Sequence, residues 1–443
     1  MPDPGPLRPD EPLPPPPATG WEEPTLLAAS LAPDPAAFAD TVRRVNPTLA
    51  SQCLRERAAP DATTADAVRQ DLLRLMRDST VHLRARLAVG EALGDLGDPR
   101  FEGIDVDGQR VLLPPLVAMP GGPFRMGSSR WAVWWLTRRG FPARDELPRH
   151  RVSVPAFAIG RYPVTNAEFA CFLAADGYED DRWWTTESAR RWRRGELESR
   201  VVEDWLNPWR TIKADPNLPR RRGLSAYQIA RWEKLVAMDE IEVRTTAAKL
   251  RVQRFMNQPA YWHNDRLNNP SQPVVGVTWF EVRAYCAWLE ARWRAAGSQC
   301  RRPLAAGESV RLPTEAEWEK AARTPANGRY PWGDRWAADR ANTAEGQVLR
   351  PTPVGVYPAG ATAADVHDLS GNVWEWTSSH YRDYPYYAYD GSNSETEVPF
   401  VVRGGAWDND RQYARSATRG GDHPVNFDFD LGFRVVVSLA NSE

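Results

Sequence analysis

The residues best placed for chemistry lie between two glycine signatures near the end of the chain, Arg403-Gly404-Gly405-Ala406-Trp407 and Gly432-Phe433-Arg434. Between them come Asp408, Asp410, Gln412, Tyr413, Thr418, Gly420, Asp422, Asn426, Phe427, Asp428 and Phe429, with Asp430 beside the second signature. Grouped carboxylates can hold a cation, but this spacing fits no EF-hand, and a solvated acidic loop is the simpler reading. Aromatic rings beside adaptable amides and carboxylates suit ligand contact. The stretch has neither helical nor strand periodicity, so rigid ends frame an irregular loop, as in many binding surfaces.

Other chemistries find little support. The four cysteines, Cys53, Cys171, Cys286 and Cys300, show no CxxC and no metal spacing. Cys286 shares a helical face with Val282, Tyr285 and Leu289, which makes it a core residue. Of the six histidines only His82 precedes position 150, and His150, His263, His367, His380 and His423 are scattered. There is no nucleophile elbow, P-loop, GxGxxG or HExxH.

The elements that must position the loop can be read in outline. The chain has 443 residues, is 42% hydrophobic and carries a net charge of −2, which implies no nucleic-acid surface. No apolar run approaches the roughly 18–20 residues of a membrane span. The start, MPDPGPLRPDEPLPPPP, has no apolar core of a signal peptide, so a cytoplasmic location is expected. Residues 1–22 read as a disordered Pro-rich arm, and 23–108 as a small helical, HEAT-like region that docks on the main domain or on a protein partner. Val68, Leu72, Leu75 and Met76 mark one of its helices, and Gly94, Gly97 and Pro99 close the region. Residues 109–443 mix helix and strand. Leu116–Ser128 reads as two strands around a Gly-Gly turn, and His150–Thr165 as further strand. Thr165 with Glu168, Thr278 with Glu281 and Thr314 with Glu317 fit capping boxes that open three helices. A Trp- and Arg-rich insertion, about 177–262, separates the first two, and Ser225–Ala247 within it looks helical.

The second half carries a series of longer motifs. They are Gln272–Trp279 (QPVVGVTW), Arg311–Glu319 (RLPTEAEWE), Tyr330–Asp334 (YPWGD), Asp368–Thr377 (DLSGNVWEWT) and the two C-terminal signatures. In this order they resemble the formylglycine-generating-enzyme, or sulfatase-modifying-factor, superfamily over about residues 110–438. The resemblance implies an α+β fold of C-type lectin type, with a small N-terminal helical region and the long insertion as additions. It also implies a structural calcium at Asp368 and Glu375 with the Gly371 and Val373 carbonyls; the alternative is that both acids bond loop amides.

Function is read by matching residues to the family's roles. Formylglycine-generating members use a C-terminal cysteine pair, and the matching stretch Gly405–Arg419 has none. Sulfoxide-synthase relatives hold iron on histidines of an attached helical bundle, and a single histidine stands in residues 1–149. The chain is therefore expected to be a non-catalytic protein that requires no cofactor. It most resembles the variable proteins of diversity-generating retroelements, with a variable region of about 403–434 displayed to a protein or other macromolecular ligand. Two alternatives stay open: a non-diversified binding or effector-associated module, and a metal-dependent oxidase or oxygenase of the formylglycine-generating or sulfoxide-synthase type.

Overall fold

The computed structural model describes residues 7–55, 62–141, 143–197, 201–253, 257–323, 328–387 and 398–439. Five helices come first: α1 (Glu22–Leu31), α2 (Pro35–Arg43), α3 (Pro47–Arg55), α4 (Ala62–Arg77) and α5 (Leu83–Leu96). Strands β1 (Glu102–Val106), β2 (Gln109–Leu113), β3 (Leu116–Met119) and β4 (Gly122–Met126) lead to α6 (Arg130–Thr137), β5 (His150–Val154), β6 (Phe157–Gly160) and α7 (Asn166–Ala174). Five further helices follow, α8 (Glu187–Arg193), α9 (Val201–Ala214), α10 (Leu218–Arg221), α11 (Ala226–Val236) and α12 (Glu240–Gln253). The remainder is α13 (Trp279–Ala296), β7 (Glu308–Arg311), α14 (Glu315–Arg323), β8 (Trp374–His380), β9 (Phe400–Arg403), β10 (Arg419–Asp422), β11 (Leu431–Phe433) and β12 (Val436–Leu439).

The fold is α+β with short strands and long irregular connections. One four-stranded sheet has the order β3-β6-β12-β7 and another β10-β9-β8-β11. The two strands expected around Gly121-Gly122 both form, but they do not pair with each other. β3 joins β6, while β4 joins β5 in a separate ladder. All three Thr–Glu caps form; the Glu168, Glu281 and Glu317 carboxylates accept the amides of Thr165, Thr278 and Thr314 at 2.7 Å. Each cap satisfies an amide that the first helical turn leaves without a partner. Val282, Tyr285, Cys286 and Leu289 are buried on α13, and burial pushes the Cys286 thiol up to about 12, an unreactive state. Around them pack Phe169, Phe172, Trp288 and Phe433, ring against ring.

The first helices share a core with a loop of the main body, where Val68, Leu72 and Leu93 meet Val348, Val356 and Tyr357. Arg86, buried on α5, donates to the Val356 carbonyl at 2.5 Å. The Pro-rich arm is not free where residues 7–21 are described. Its carbonyls have no partners of their own in an extended chain, and Arg84 donates to those of Pro14 and Pro15. The Leu13 amide bonds Gln347 at 2.7 Å, and Asp10 pairs with Lys234 of α11. The insertion is mostly helical and has its own small core of Leu206, Trp209 and Val243, flanked by Trp232 and Leu235.

Candidate functional site

Four buried Arg–Glu pairs fix the C-terminal segment. Arg403 bonds Glu319, Arg415 bonds both oxygens of Glu146 at 2.9 and 2.7 Å, and Arg419 bonds both oxygens of Glu315 at 2.8 and 2.9 Å. Arg434 bonds both oxygens of Glu375 at 2.6 and 2.7 Å. Strand register accounts for the Arg434–Glu375 pair, whereas Glu315 and Glu319 are supplied by α14 and Glu146 by the loop before β5. β11 runs parallel to β8 with Gly432 opposite Glu375, and β9 runs antiparallel to β8 with Arg403 opposite Glu375. The two signature glycines allow close backbone approach. A Cβ at Gly432 would lie 2.5 Å from the Val274 carbonyl, and one at Gly405, where φ is +71°, 2.8 Å from Tyr413 backbone.

Within this frame the expected ligand residues divide. Asp408, Asp422, Asn426, Phe427, Asp428 and Phe429 line one cavity of about 420 Å³. Asp410, Gln412, Tyr413, Thr418 and Gly420 do not line it. Asp410 accepts the Gln412 amide at 2.8 Å, and the Gln412 carbonyl accepts from Arg415 and from the Thr418 hydroxyl, so these four residues close a turn. The Tyr413 ring packs edge-on to Phe141, and Gly420 pairs with Val402 in the sheet.

Several lining residues stand outside the expected set. Asp430, Asn409 and Trp374 come from the frame, and Trp205, Gln228, Arg231, Trp232 and Leu235 come from the insertion. α11 is seated over the loop by its own cap: Ser225 Oγ donates to the Asp408 carbonyl at 2.5 Å, and Gln228 Nε2 to the Asp408 carboxylate at 3.2 Å. The Tyr227 ring packs on Trp407 at 5.4 Å, and the Arg231 guanidinium lies 4.3 Å from the Phe429 centroid. The alternation Phe427-Asp428-Phe429-Asp430 is the sequence signal for Asp430; for Arg231 the signal is only the Trp–Arg richness of the insertion.

Asp408 and Asp430 are buried at 4% and 8% exposure, and Asp428 stands at the solvent-exposed mouth. Burial pushes the Asp408 carboxyl up to about 6, against the opposing pull of its Gln228 hydrogen bond and of Arg231. Burial, then the charges of Asp408 and Asp428, raises Asp430 well above the carboxylate range. Such a set holds a proton near neutral pH and releases it when a cation enters.

A larger cavity of about 640 Å³ lies beside Trp279, Phe400 and His380. Its principal charges are matched within the protein, Arg311 with Glu317 and Arg419 with Glu315. The acid-lined cavity is therefore the better candidate site.

The expected calcium ligands are otherwise engaged. Glu375 gives both oxygens to Arg434 and also accepts the Trp318 indole at 2.7 Å, while Asp368 accepts the Gly355 amide at 2.8 Å. A cation at Glu375 would have to displace a buried guanidinium. Among the described residues no group of three or more His, Cys, Asp or Glu has the arrangement to hold a metal ion. None of the described helices is long and apolar enough to cross a membrane.

Residues 104–439 match the family described as "Sulfatase-modifying factor enzyme 1-like domain". The hercynine oxygenase of Mycolicibacterium thermoresistibile is 31% identical over 315 residues, 66% of this chain and 53% of that protein. The hercynine oxygenase of Mycobacterium tuberculosis is 33% identical over 300 residues, 66% of this chain and 55% of that protein. The chain thus spans about half the length of these relatives. Among solved structures, Treponema denticola variable protein 1 is 16% identical with a TM-score of 0.43, over 76% of this chain and 99% of that one. A likeness that distant says nothing of function.

These relatives overturn three expectations. The reading as a non-catalytic, diversified ligand-binding protein gives way, because similarity runs to proteins named as oxygenases. The expectation of no enzyme falls with it. So does the expectation that no cofactor is required, since the relatives are named as oxygenases and dioxygen chemistry is ordinarily carried by a metal or organic cofactor. The missing cysteine pair excludes one chemistry of the superfamily without excluding the others. The matched residues and this kinship lead to one conclusion: the chain belongs to the sulfatase-modifying factor enzyme 1-like family.

Proposed function

We propose that the protein is an oxygenase acting on a small zwitterionic nitrogen compound of the hercynine type, bound in the cavity between the C-terminal loop and α11. The observation that carries this reading is the lining of that cavity. Asp408, Asp428 and Asp430 face the rings of Trp205, Trp232, Trp374 and Phe429, with Arg231 alongside. Carboxylates and aromatic faces together suit an ammonium group, the quaternary kind above all. A guanidinium in the same cavity suits the carboxylate of the same molecule. Hercynine, the betaine of histidine, carries both groups.

Among the described residues no group of three or more His, Cys, Asp or Glu is arranged to hold iron. His150 bonds the Pro148 carbonyl and the Tyr386 amide, His367 bonds Asp365, and His82 caps α5, so these imidazoles stand apart on structural tasks. The described residues supply binding and orientation, with the Asp408 and Asp430 carboxyls both raised by burial.

The test is oxygen uptake by the protein supplied with ferrous ion and hercynine, alongside calorimetric binding of hercynine. Expected are substrate-dependent uptake and a rise in KM of about tenfold or more in Asp408→Asn or Asp430→Asn, the scale of one charge-assisted contact. Absence of both binding and uptake would sink the proposal. A cytoplasmic location is part of the same reading, supported by the buried thiols Cys171, Cys286 and Cys300, which join no disulfide.

A further inference from the structure

Away from the acid-lined cavity, a smaller one of about 320 Å³ gathers positive charge. Arg149, Arg323, Arg329 and Arg415 line it with Trp131, Trp135, Ser128 and Ser129. Two of these arginines are already satisfied and rigid. Arg415 is paired with Glu146, and Arg323 bonds Glu319 and the Gly127 carbonyl. The other two, Arg149 and Arg329, are exposed and make no ion pair among the described residues. The one carboxylate in the lining, Asp334, accepts the Arg329 backbone amide at 3.0 Å. Partial desolvation, then the like charges of Arg323 and Arg125, lowers the pKa of Arg149 against the opposing charges of Glu319 and Asp334.

Aromatic surface adjoins the charge. Trp131 is 66% exposed at the start of α6. The inner neighbour, Trp135, is covered by Arg139 at 3.4 Å, and the Arg329 guanidinium lies 5.7 Å from its centroid. Unpaired guanidiniums match the oxygens of a phosphate, and an open indole face is a platform for a flat base. The volume falls at the small end of ligand sites, which run from roughly 300 to 1,000 Å³.

We propose that this cavity binds a mononucleotide, its phosphate between Arg149 and Arg329 and its base on Trp131. Nothing in the proposed oxygenase reaction requires this site, so it is independent of the acid-lined cavity.

The test is titration of the full-length protein with AMP, adenosine and inorganic phosphate at low salt, read by tryptophan fluorescence and calorimetry. AMP should bind more tightly than inorganic phosphate, and both more tightly than adenosine. Arg149→Ala and Arg329→Ala should each weaken AMP about tenfold or more, as expected for a lost charge-assisted contact. Trp131→Ala should weaken AMP and leave inorganic phosphate unchanged. All three side chains are solvent-exposed or near it, so an unchanged thermal midpoint will show that the variants fold. No phosphate binding, or binding that neither arginine variant alters, would overturn the site. Inorganic phosphate binding as tightly as AMP would overturn its assignment to a nucleotide.

Discussion

Asp408 is the residue on which the candidate site turns. Its carboxyl is buried, bonded to Gln228 and to Asn409, and pushed up to about 6 from an ordinary value near 4. A raised folded-state value makes a contribution to stability that is full below the unfolded-state value and lost as pH rises through the folded one. Asp408→Asn should therefore gain on the wild type between about pH 4 and pH 6, by on the order of 2–3 kcal/mol, and hold level above that. Urea midpoints across that range measure it, and parallel profiles for the two proteins would refute it. The acids of the loop could be read from sequence because they sit beside rigid signatures. Their division between cavity and turn could not, since Asp410 and Asp408 differ only in which way a loop without periodicity points them.

At the scale of elements, the frame is held by charges taken out of water. β8 and β11 meet at Glu375 and Arg434, both at 0% exposure. Removing one partner leaves the other charged and unpaired, so Arg434→Met should cost about 3–5 kcal/mol in urea unfolding. The double variant Arg434→Met with Glu375→Leu should recover much of that loss. A cost below about 1 kcal/mol for the single variant would mean the pair is not what joins these strands. The capping boxes and the apolar face of α13 were legible because they depend on neighbours a few positions away. The partners of β3 and β4, and the seating of α11 on Asp408, depend on contacts far along the chain that no local pattern encodes.

Across the whole molecule, the Pro-rich arm ties three parts together. It touches α5 through Arg84, a main-body loop through Gln347 and the insertion through Lys234. Composition alone marks such a segment as disordered, because carbonyl partners supplied from a distance leave no trace in it. Arg84→Ala should speed amide exchange at Leu13 about tenfold or more, with little change in global stability; unchanged exchange would mean the arm is held by other contacts. The four Arg–Glu pairs reach across the molecule in the same way, and they bear on descent. Arg403 answers Glu319 and Arg434 answers Glu375, each drawn from a different motif. Neither member of a pair can be exchanged alone without stranding a buried charge. Asp428 and Phe429, at the cavity, carry no such obligation. Substitution is thus expected to run in linked pairs through the frame and in single steps across the site.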